Sequence, residues 1–228
     1  MPINKEAYQS VKRELDSKQV RLVAVSKTKP IEDIKELYDL GHRDFGENYV
    51  QELVDKAAQL PEDIRWHFIG HLQTNKVKFI APFVQLIHGV DSLKLLKEVN
   101  KEGAKNNRVI DCLLQVHIAR EETKFGLDEE ELKTLLSQFA EESMKNVRIT
   151  GLMGMASFTD DTVKIRIEFR KLKELFNHYA KPETPSPAAG PKPETLSMGM
   201  SSDYTIAVEE GSNMVRIGSL LFGERVKK

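Results

Sequence analysis

The chain has 228 residues, with 34 Lys and Arg against 35 Asp and Glu, so its formal net charge is −1 at pH 7. That balance argues against a broad nucleic-acid surface, which needs a basic face, and no apolar run approaches the ~20 residues of a membrane span. The one cysteine, Cys112, excludes an internal disulfide and fits a reducing compartment. Because the first residues also lack the apolar stretch of a signal peptide, we expect a cytoplasmic protein that binds neither nucleic acid nor membrane and folds as one domain over residues 1–228.

Short apolar runs alternate with amphipathic segments along the chain. The first stretch, about residues 3–17, is polar and compatible with a helix. Leu22–Ser26 is a continuous apolar run, typical of a strand buried on both faces of a parallel sheet, and a helical pattern follows it from Ile31 to Leu40. Further strand candidates, each followed by apolar residues at helical spacing, are residues 44–45, 67–69, 84–87, 110–116, 147–152, 195–197 and 214–217.

This alternation predicts a parallel α/β fold. Eight strand–helix units are what a single closed (β/α)8 barrel, or TIM barrel, requires. A doubly wound open sheet is the alternative, because the second and seventh strand candidates are weak. Cys112 lies inside the fifth apolar run, which predicts a core position for it.

Five of the nine prolines lie between residues 182 and 193. Proline at this density predicts a stiff connection without a helix or strand of its own. We therefore expect a Pro-rich surface loop at about 181–194 that leads into the seventh strand.

In a (β/α)8 barrel, functional side chains collect where the strands end, at the carboxyl-terminal rim. Lys27 directly follows the first strand candidate, and His88 is predicted to follow the fourth. A partly desolvated lysine at such a rim has a lowered pKa and a nucleophilic amine, as Schiff-base chemistry requires. The alternative is an ordinary solvated loop lysine. Lys29 lies beside Pro30, in the predicted loop or first helical turn, so Lys27 is the candidate.

The segments after the seventh and eighth strands are the recurrent phosphate site of this fold. Here they carry Ser201, Ser202, Gly218 and Ser219, which combine hydroxyls with glycine's close backbone approach. Ser201 or Ser202 would equally serve as the N-cap of a short helix near residues 204–208, with Asp203 at the favourable end of its dipole.

Arg216, on the eighth strand candidate, adds a cation to this rim. An amine, a phosphate site and an arginine together suit pyridoxal 5′-phosphate (PLP), which offers an aldehyde, a phosphate and a pyridine nitrogen.

Five motifs between about Val20 and the C-terminus carry a family resemblance. They are Ala24–Pro30, Phe45–Glu52, Trp66–Lys76, Leu196–Asp203, and Val215–Ser219 with Phe222–Arg225. In this order they closely resemble the YggS/PROSC family of PLP homeostasis proteins. The Pro-rich stretch at 182–193 departs from that family's usual pattern.

The resemblance implies a single (β/α)8 barrel similar to the N-terminal domain of alanine racemase, with PLP held as an aldimine on Lys27. It also implies a phosphate site and an arginine, Arg216, that faces the pyridine nitrogen. The remaining cofactor-binding residues that it implies are Ser201, Gly218 and Ser219 at the phosphate, and Asn48 and His71 in the pocket. Met198, at the end of the seventh strand candidate, is expected to pack under the cofactor or in the barrel.

Three functions stay open. The first is a PLP homeostasis protein that buffers and delivers PLP, with PLP-dependent apo-enzymes as candidate recipients. The second is a PLP-dependent amino-acid racemase of weak or narrow activity, although 228 residues leave no room for the second domain that supplies a tyrosine in alanine racemase. The third is a Schiff-base aldolase that acts on a sugar phosphate.

We expect no metal and a monomeric protein. The six histidines show no paired metal-ligand spacing on one element. His67 and His71 are four residues apart, but only His67 lies in a strand candidate. The Lys- and Glu-rich helix faces are interpreted as solvated exteriors.

Overall fold

The computed structural model describes residues 3–119, 125–180 and 193–224. Eight parallel strands close into a barrel in chain order. The strands are β1 (Arg21–Val25), β2 (Asp44–Glu47), β3 (Arg65–Phe68), β4 (Leu86–Val90), β5 (Ile110–Val116), β6 (Val147–Gly154), β7 (Thr195–Ser197) and β8 (Met214–Ile217). β8 pairs with β1 from Arg21 opposite Met214 to Ala24 opposite Ile217. The predicted barrel is therefore confirmed, and the open-sheet alternative is wrong.

Helices surround the barrel and begin at side-chain caps in several places. They are α1 (Lys5–Ser17), α2 (Ile31–Asp39), α3 (Val50–Ala57), α4 (Val77–Ile80), α5 (Leu93–Lys105), α6 (Glu129–Glu141), α7 (Thr162–Tyr179), α8 (Tyr204–Glu209) and α9 (Ser219–Phe222), with a 3-10 turn at Thr74–Lys76. Asp128 and Glu131 form a capping box at α6, and Asp161 accepts the first free amides of α7. Each such cap stabilises its helix by about 1 kcal/mol.

Alternation along the strands sorts apolar side chains into two layers. Outward residues such as Leu22 and Ala24 belong to the large outer core, together with helix residues such as Ile34 and Phe169. A smaller apolar cluster lies in the barrel interior and consists of Val23, Leu86, Leu113, Met153 and Met214. Cys112 is fully buried in the outer core, as predicted.

The position of β4 corrects one prediction. The fourth strand was expected at 84–87, with His88 after it at the rim, but β4 runs to Val90 and encloses His88. A polar ring fits inside this strand because its two nitrogens meet His67 and Ser197 in the barrel interior. The predicted Pro-rich loop lies outside the described residues apart from Pro193 and Glu194. Within the described part of the chain, no helix has both the length and the apolarity to span a bilayer.

Candidate functional site

Most of the predicted site residues lie near the carboxyl-terminal ends of the barrel strands. Lys27 lies two residues beyond β1, and Asn48 directly follows β2. Ser201 lies in the turn between β7 and α8, and Arg216 lies within β8. Gly218 and Ser219 follow β8 at once. Because β1 and β8 are neighbours, Lys27 and the predicted phosphate-binding segment lie at adjacent strand ends.

The turn that carries Lys27 is fixed from both sides. Lys27 itself is half-buried. The Ser26 hydroxyl donates to Glu47 Oε1 over 2.6 Å, and the Thr28 amide donates to Glu52 Oε1 over 2.5 Å. Thr28 has a φ of +63°, a conformation that β-branched residues rarely adopt. Two carboxylates thus hold a strained turn around the candidate nucleophile.

Lys56 joins these two carboxylates from α3. Its ammonium donates to Ser26 O (2.8 Å), Glu47 Oε1 (2.8 Å) and Glu52 Oε1 (2.6 Å), so each of its three protons has an acceptor. Burial raises the pKa of Glu47, although Lys56 beside it opposes the shift. We call Ser26, Glu47, Glu52 and Lys56 the Lys56 cluster. The interpretation of Lys- and Glu-rich helix faces as solvated is therefore wrong for Lys56, which is 5% exposed.

Lys29, the other lysine of this segment, has a different environment. Its ammonium donates to the carbonyls of Phe222 (2.6 Å) and Gly223 (3.1 Å), at the end of α9. These contacts give Lys29 a structural role in joining the β1–α2 loop to the last helix. They support the choice of Lys27 as the nucleophile.

Ser201 connects the β7–α8 turn to the start of α9. Its hydroxyl oxygen accepts from the amides of Gly218 (3.2 Å) and Leu220 (3.4 Å). The expectation that Ser201 or Ser202 caps α8 is wrong: an extra turn precedes the helix, and Asp203 occupies the N-cap position. The Asp203 carboxylate accepts from the Met200 amide over 2.6 Å. Ser201 is thereby turned toward the residues with which it was predicted to bind phosphate.

Arg216 is buried in the barrel, with 4% of its surface exposed. Its guanidinium donates to Ser197 Oγ over 2.6 Å and to Gly154 O over 3.0 Å. Burial lowers the pKa of Arg216 to about 10, while Asp203 favours the charged form. Arg216 is therefore a cation at neutral pH, oriented by β6 and β7.

Asn48 and His71 meet in a cavity of about 300 Å³ beside α3, also lined by Lys76 and Phe79. The buried Asn48 Oδ1 finds no hydrogen-bond partner among the described residues. His71 stacks on Phe125 at 4.4 Å between ring centroids. An orphaned buried oxygen of this kind indicates a place for a ligand or an ordered water.

Met198 is fully buried in the outer core, where its side chain packs away from the barrel interior. A cofactor contact from Met198 stays a prediction. His67 and His71 lie on different elements, β3 and the loop after it. Within residues 3–119, 125–180 and 193–224, no group of three or more His, Cys, Asp or Glu side chains is placed to hold a metal ion.

The comparisons with known proteins agree with this geometry. The family model described as "Alanine racemase, N-terminal domain" matches residues 5–226. A pyridoxal phosphate homeostasis protein of Aquifex aeolicus is 44% identical over 206 residues, which are 90% of this chain and 87% of that protein. The chain belongs to the pyridoxal phosphate homeostasis protein family. A relative from Escherichia coli is 36% identical over 211 residues, or 91% of this chain and 86% of its own.

Solved structures that are similar to this chain share the whole barrel. PipY of Synechococcus elongatus, solved without PLP, has a TM-score of 0.86 and 33% identity, covering 96% of this chain and 99% of its own. PipY solved with PLP bound has a TM-score of 0.82. Alanine racemase of Streptomyces lavendulae, at 16% identity and a TM-score of 0.76, shares the fold over 97% of this chain and 58% of its own.

Proposed function

We propose that this chain binds PLP at the barrel rim and serves PLP homeostasis by holding, buffering and delivering the cofactor. The observation that carries the proposal is the adjacency of Lys27 to the end of β8. A Cβ added to Gly218 would lie 3.3 Å from Val25 Cβ, so the segment after β8 packs directly on the strand that precedes Lys27. Neighbouring strand ends thus carry the half-buried amine of Lys27, the Ser201–Gly218 contact and the buried cation of Arg216.

Each residue has a defined task toward PLP. Lys27 would hold PLP by its aldehyde carbon through Nζ, with the loss of one water molecule. Ser201, Gly218 and Ser219 hold the phosphate through hydroxyl and amide donors. Asn48 Oδ1 and His71 border the pocket, where the unpartnered oxygen of Asn48 is a ready acceptor.

Arg216 would weaken bound PLP as an electron sink. PLP, when bound, supplies an electron-withdrawing ring whose strength depends on protonation of the ring nitrogen. A guanidinium facing that nitrogen disfavours its protonation, because two positive charges would then lie side by side. The name of the curated relatives and the PLP-bound PipY structure support the same role. The recipient enzymes, the monomeric state and the cytoplasmic location stay predictions.

The experiment is an absorbance spectrum of the purified protein with PLP, before and after borohydride, for wild type, Lys27→Ala and Lys29→Ala. The wild type and Lys29→Ala are expected to form a band near ~420 nm that borohydride removes by fixing PLP on the chain, and Lys27→Ala to form none. Lys29→Ala is the matched control, since it removes a lysine two residues away. A band that persists in Lys27→Ala contradicts the assignment of the nucleophile, and a wild type without a band contradicts PLP binding.

A further inference from the structure

Beneath Arg216, a row of buried polar side chains crosses the barrel interior. From β7, β4, β3 and β2 in turn, it contains Ser197, His88, His67 and Asp44. Ser197 Oγ lies 3.1 Å from His88 Nδ1, His88 Nε2 lies 3.0 Å from His67 Nδ1, and His67 Nε2 lies 3.0 Å from Asp44 Oδ1. The first three are fully buried and Asp44 is 6% exposed. We call this row, with Arg216 at its head, the interior chain.

The far end of the interior chain lies at the opposite face of the barrel from Lys27. Arg65, the first residue of β3, donates to both oxygens of Asp44 over 2.9 and 2.6 Å. Burial alone would raise the pKa of Asp44, but the hydrogen bonds from Arg65 and His67 hold it well below its usual range. The interior chain therefore begins at the guanidinium of Arg216 and ends at the carboxylate of Asp44.

These two ends determine the direction of every hydrogen bond between them. A guanidinium only donates, so Ser197 Oγ accepts from Arg216. An ionised carboxylate only accepts, so His67 Nε2 donates to Asp44. If both rings are neutral, His67 Nδ1 must accept from His88 Nε2, and His88 Nδ1 must accept from the Ser197 hydroxyl. The reverse arrangement fails, because it would require Asp44 to donate a proton that it does not carry.

Burial supports the neutral form of both rings. Desolvation lowers the pKa of His67, against the opposing attraction of Asp44. Desolvation also lowers the pKa of His88 well below its usual value, and the nearby His67, Arg216 and Arg21 act in the same direction. Two neutral rings are thus the state in which each nitrogen of the chain has a compatible partner.

We propose that Ser197, His88, His67 and Asp44 are positioning residues for Arg216, joined in one donor-to-acceptor direction with both histidines as Nε2–H tautomers. That Arg216 in turn faces the cofactor rests on the proposed function. The arrangement orients the guanidinium through neutral oxygens, Ser197 Oγ and Gly154 O, and places the Asp44 carboxylate, which is paired with Arg65, three side chains away. The aligned dipoles stabilise the buried cation, and no carboxylate of the described residues contacts the guanidinium directly or competes for its donors.

The tautomers are tested in the cofactor-free protein by ¹⁵N NMR of histidine-labelled samples, with the ring signals assigned from His67→Phe and His88→Phe. Both rings are expected to show an unprotonated Nδ1 and a protonated Nε2 at neutral pH. A proton on Nδ1 of either ring, or a doubly protonated ring, overturns the proposed direction of the hydrogen bonds in the interior chain.

The positioning role is tested by PLP affinity. His88→Phe keeps a buried ring but removes the acceptor of Ser197, and roughly tenfold weaker PLP binding is expected from the loosened charged hydrogen bond of Arg216. His88→Gln, whose amide has one acceptor for Ser197 and one donor for His67, is expected to recover most of the affinity. A Gln variant as weak as the Phe variant counts against the role.

His42→Phe is the matched control. His42 is also buried, at 3% exposure, but its ring lies between Tyr8 and Phe45, and its contact with the interior chain is to a backbone atom, Asp44 O, 2.8 Å from Nε2. The His42→Phe variant is expected to unfold at a lower temperature than the wild type and to keep wild-type PLP affinity. Unchanged affinity in His88→Phe, alongside a wild type that binds PLP, overturns the positioning role. A wild type that binds no PLP refutes the proposed function, and the NMR measurement then remains the test of the interior chain.

Discussion

At the scale of single residues, the Lys56 cluster is the least expected part of the site. The charges of Glu47 and Glu52 face one ammonium, which also holds the Ser26 carbonyl beside Lys27. A buried cluster of paired charges adds little net stability to a fold. Removing one member is costly, however, because the charge that is left behind is neither paired nor hydrated. The cluster therefore keeps the turn around Lys27 in place more than it adds net stability.

Lys56→Met is expected to lower the free energy of unfolding by about 3–5 kcal/mol, because it leaves Glu47 and Glu52 facing each other without their shared cation. It should also slow the borohydride-trapped incorporation of PLP, since the Ser26–Thr28 turn loses a tie. Urea unfolding and trapping kinetics measure the two effects.

Lys101→Met is the control for a helix lysine that pairs with a nearby glutamate at the surface. Lys101 contacts Glu98 and its side chain is 57% exposed, so its loss is expected to leave both measurements unchanged. If Lys56→Met were as stable as Lys101→Met, the structural importance of the cluster would be refuted.

At the scale of elements, the link from β7 to α8 depends on one glycine. Gly199 has a φ of +98°, and an added Cβ would lie 2.6 Å from Ala207 Cβ and 3.0 Å from Tyr204 Cα. The close approach of this turn to α8 places Ser201 within reach of Gly218 and Leu220. The geometry of the predicted phosphate site is thus a consequence of backbone packing.

Gly199→Ala is expected to cost more than about 1 kcal/mol of stability, from backbone strain together with the collision. Because it pushes α8 away and moves Ser201, it should also reduce the preference for PLP over pyridoxal, which lacks the phosphate. Gly41→Ala separates the two contributions: Gly41 has a φ of +93° but open space for a Cβ. That variant should lose stability from strain alone and keep the preference, and an equal loss of preference in both variants would contradict the role of the turn.

The elements also show how much of the fold and of the site could be predicted from the sequence. The strand candidates at 110–116, 195–197 and 214–217 have the observed bounds of β5, β7 and β8, although each contains polar residues as well as apolar ones. β4 was misplaced because a histidine interrupts its apolar run, and the partners that satisfy His88 come from strands distant in the sequence. Ser201 was placed correctly at the rim, but its hydrogen bonds to Gly218 and Leu220 depend on tertiary packing that spacing alone does not reveal. The sequence held one signal for Lys56, because Glu52 lies four residues before it on the same helix. For Ser197, the alternation of side chains along a strand would have placed it on the same face as Thr195, toward the barrel interior.

At the scale of the whole molecule, three histidines are buried in a neutral state. Desolvation lowers the pKa of His42 to about 4 and lowers the pKa values of His67 and His88 as well. In the unfolded chain the same rings titrate near ~6.5. Over the interval below that value, the unfolded chain binds protons that the folded barrel does not accept, so stability must fall as the pH falls.

The free energy of unfolding is accordingly expected to decrease from pH 7.5 to pH 4.5, by up to about 1.4 kcal/mol per pH unit for each histidine that stays neutral in the folded barrel. Urea unfolding at a series of pH values measures this slope. For His42, whose folded pKa is about 4, the loss is complete only near that pH, because below it both states bind the proton. His42→Phe should remove one proton's share of the slope, and His88→Phe another. A slope that stays unchanged in both variants would place the proton uptake elsewhere, and the barrel would then tolerate charged rings that its burial and hydrogen bonds are expected to exclude.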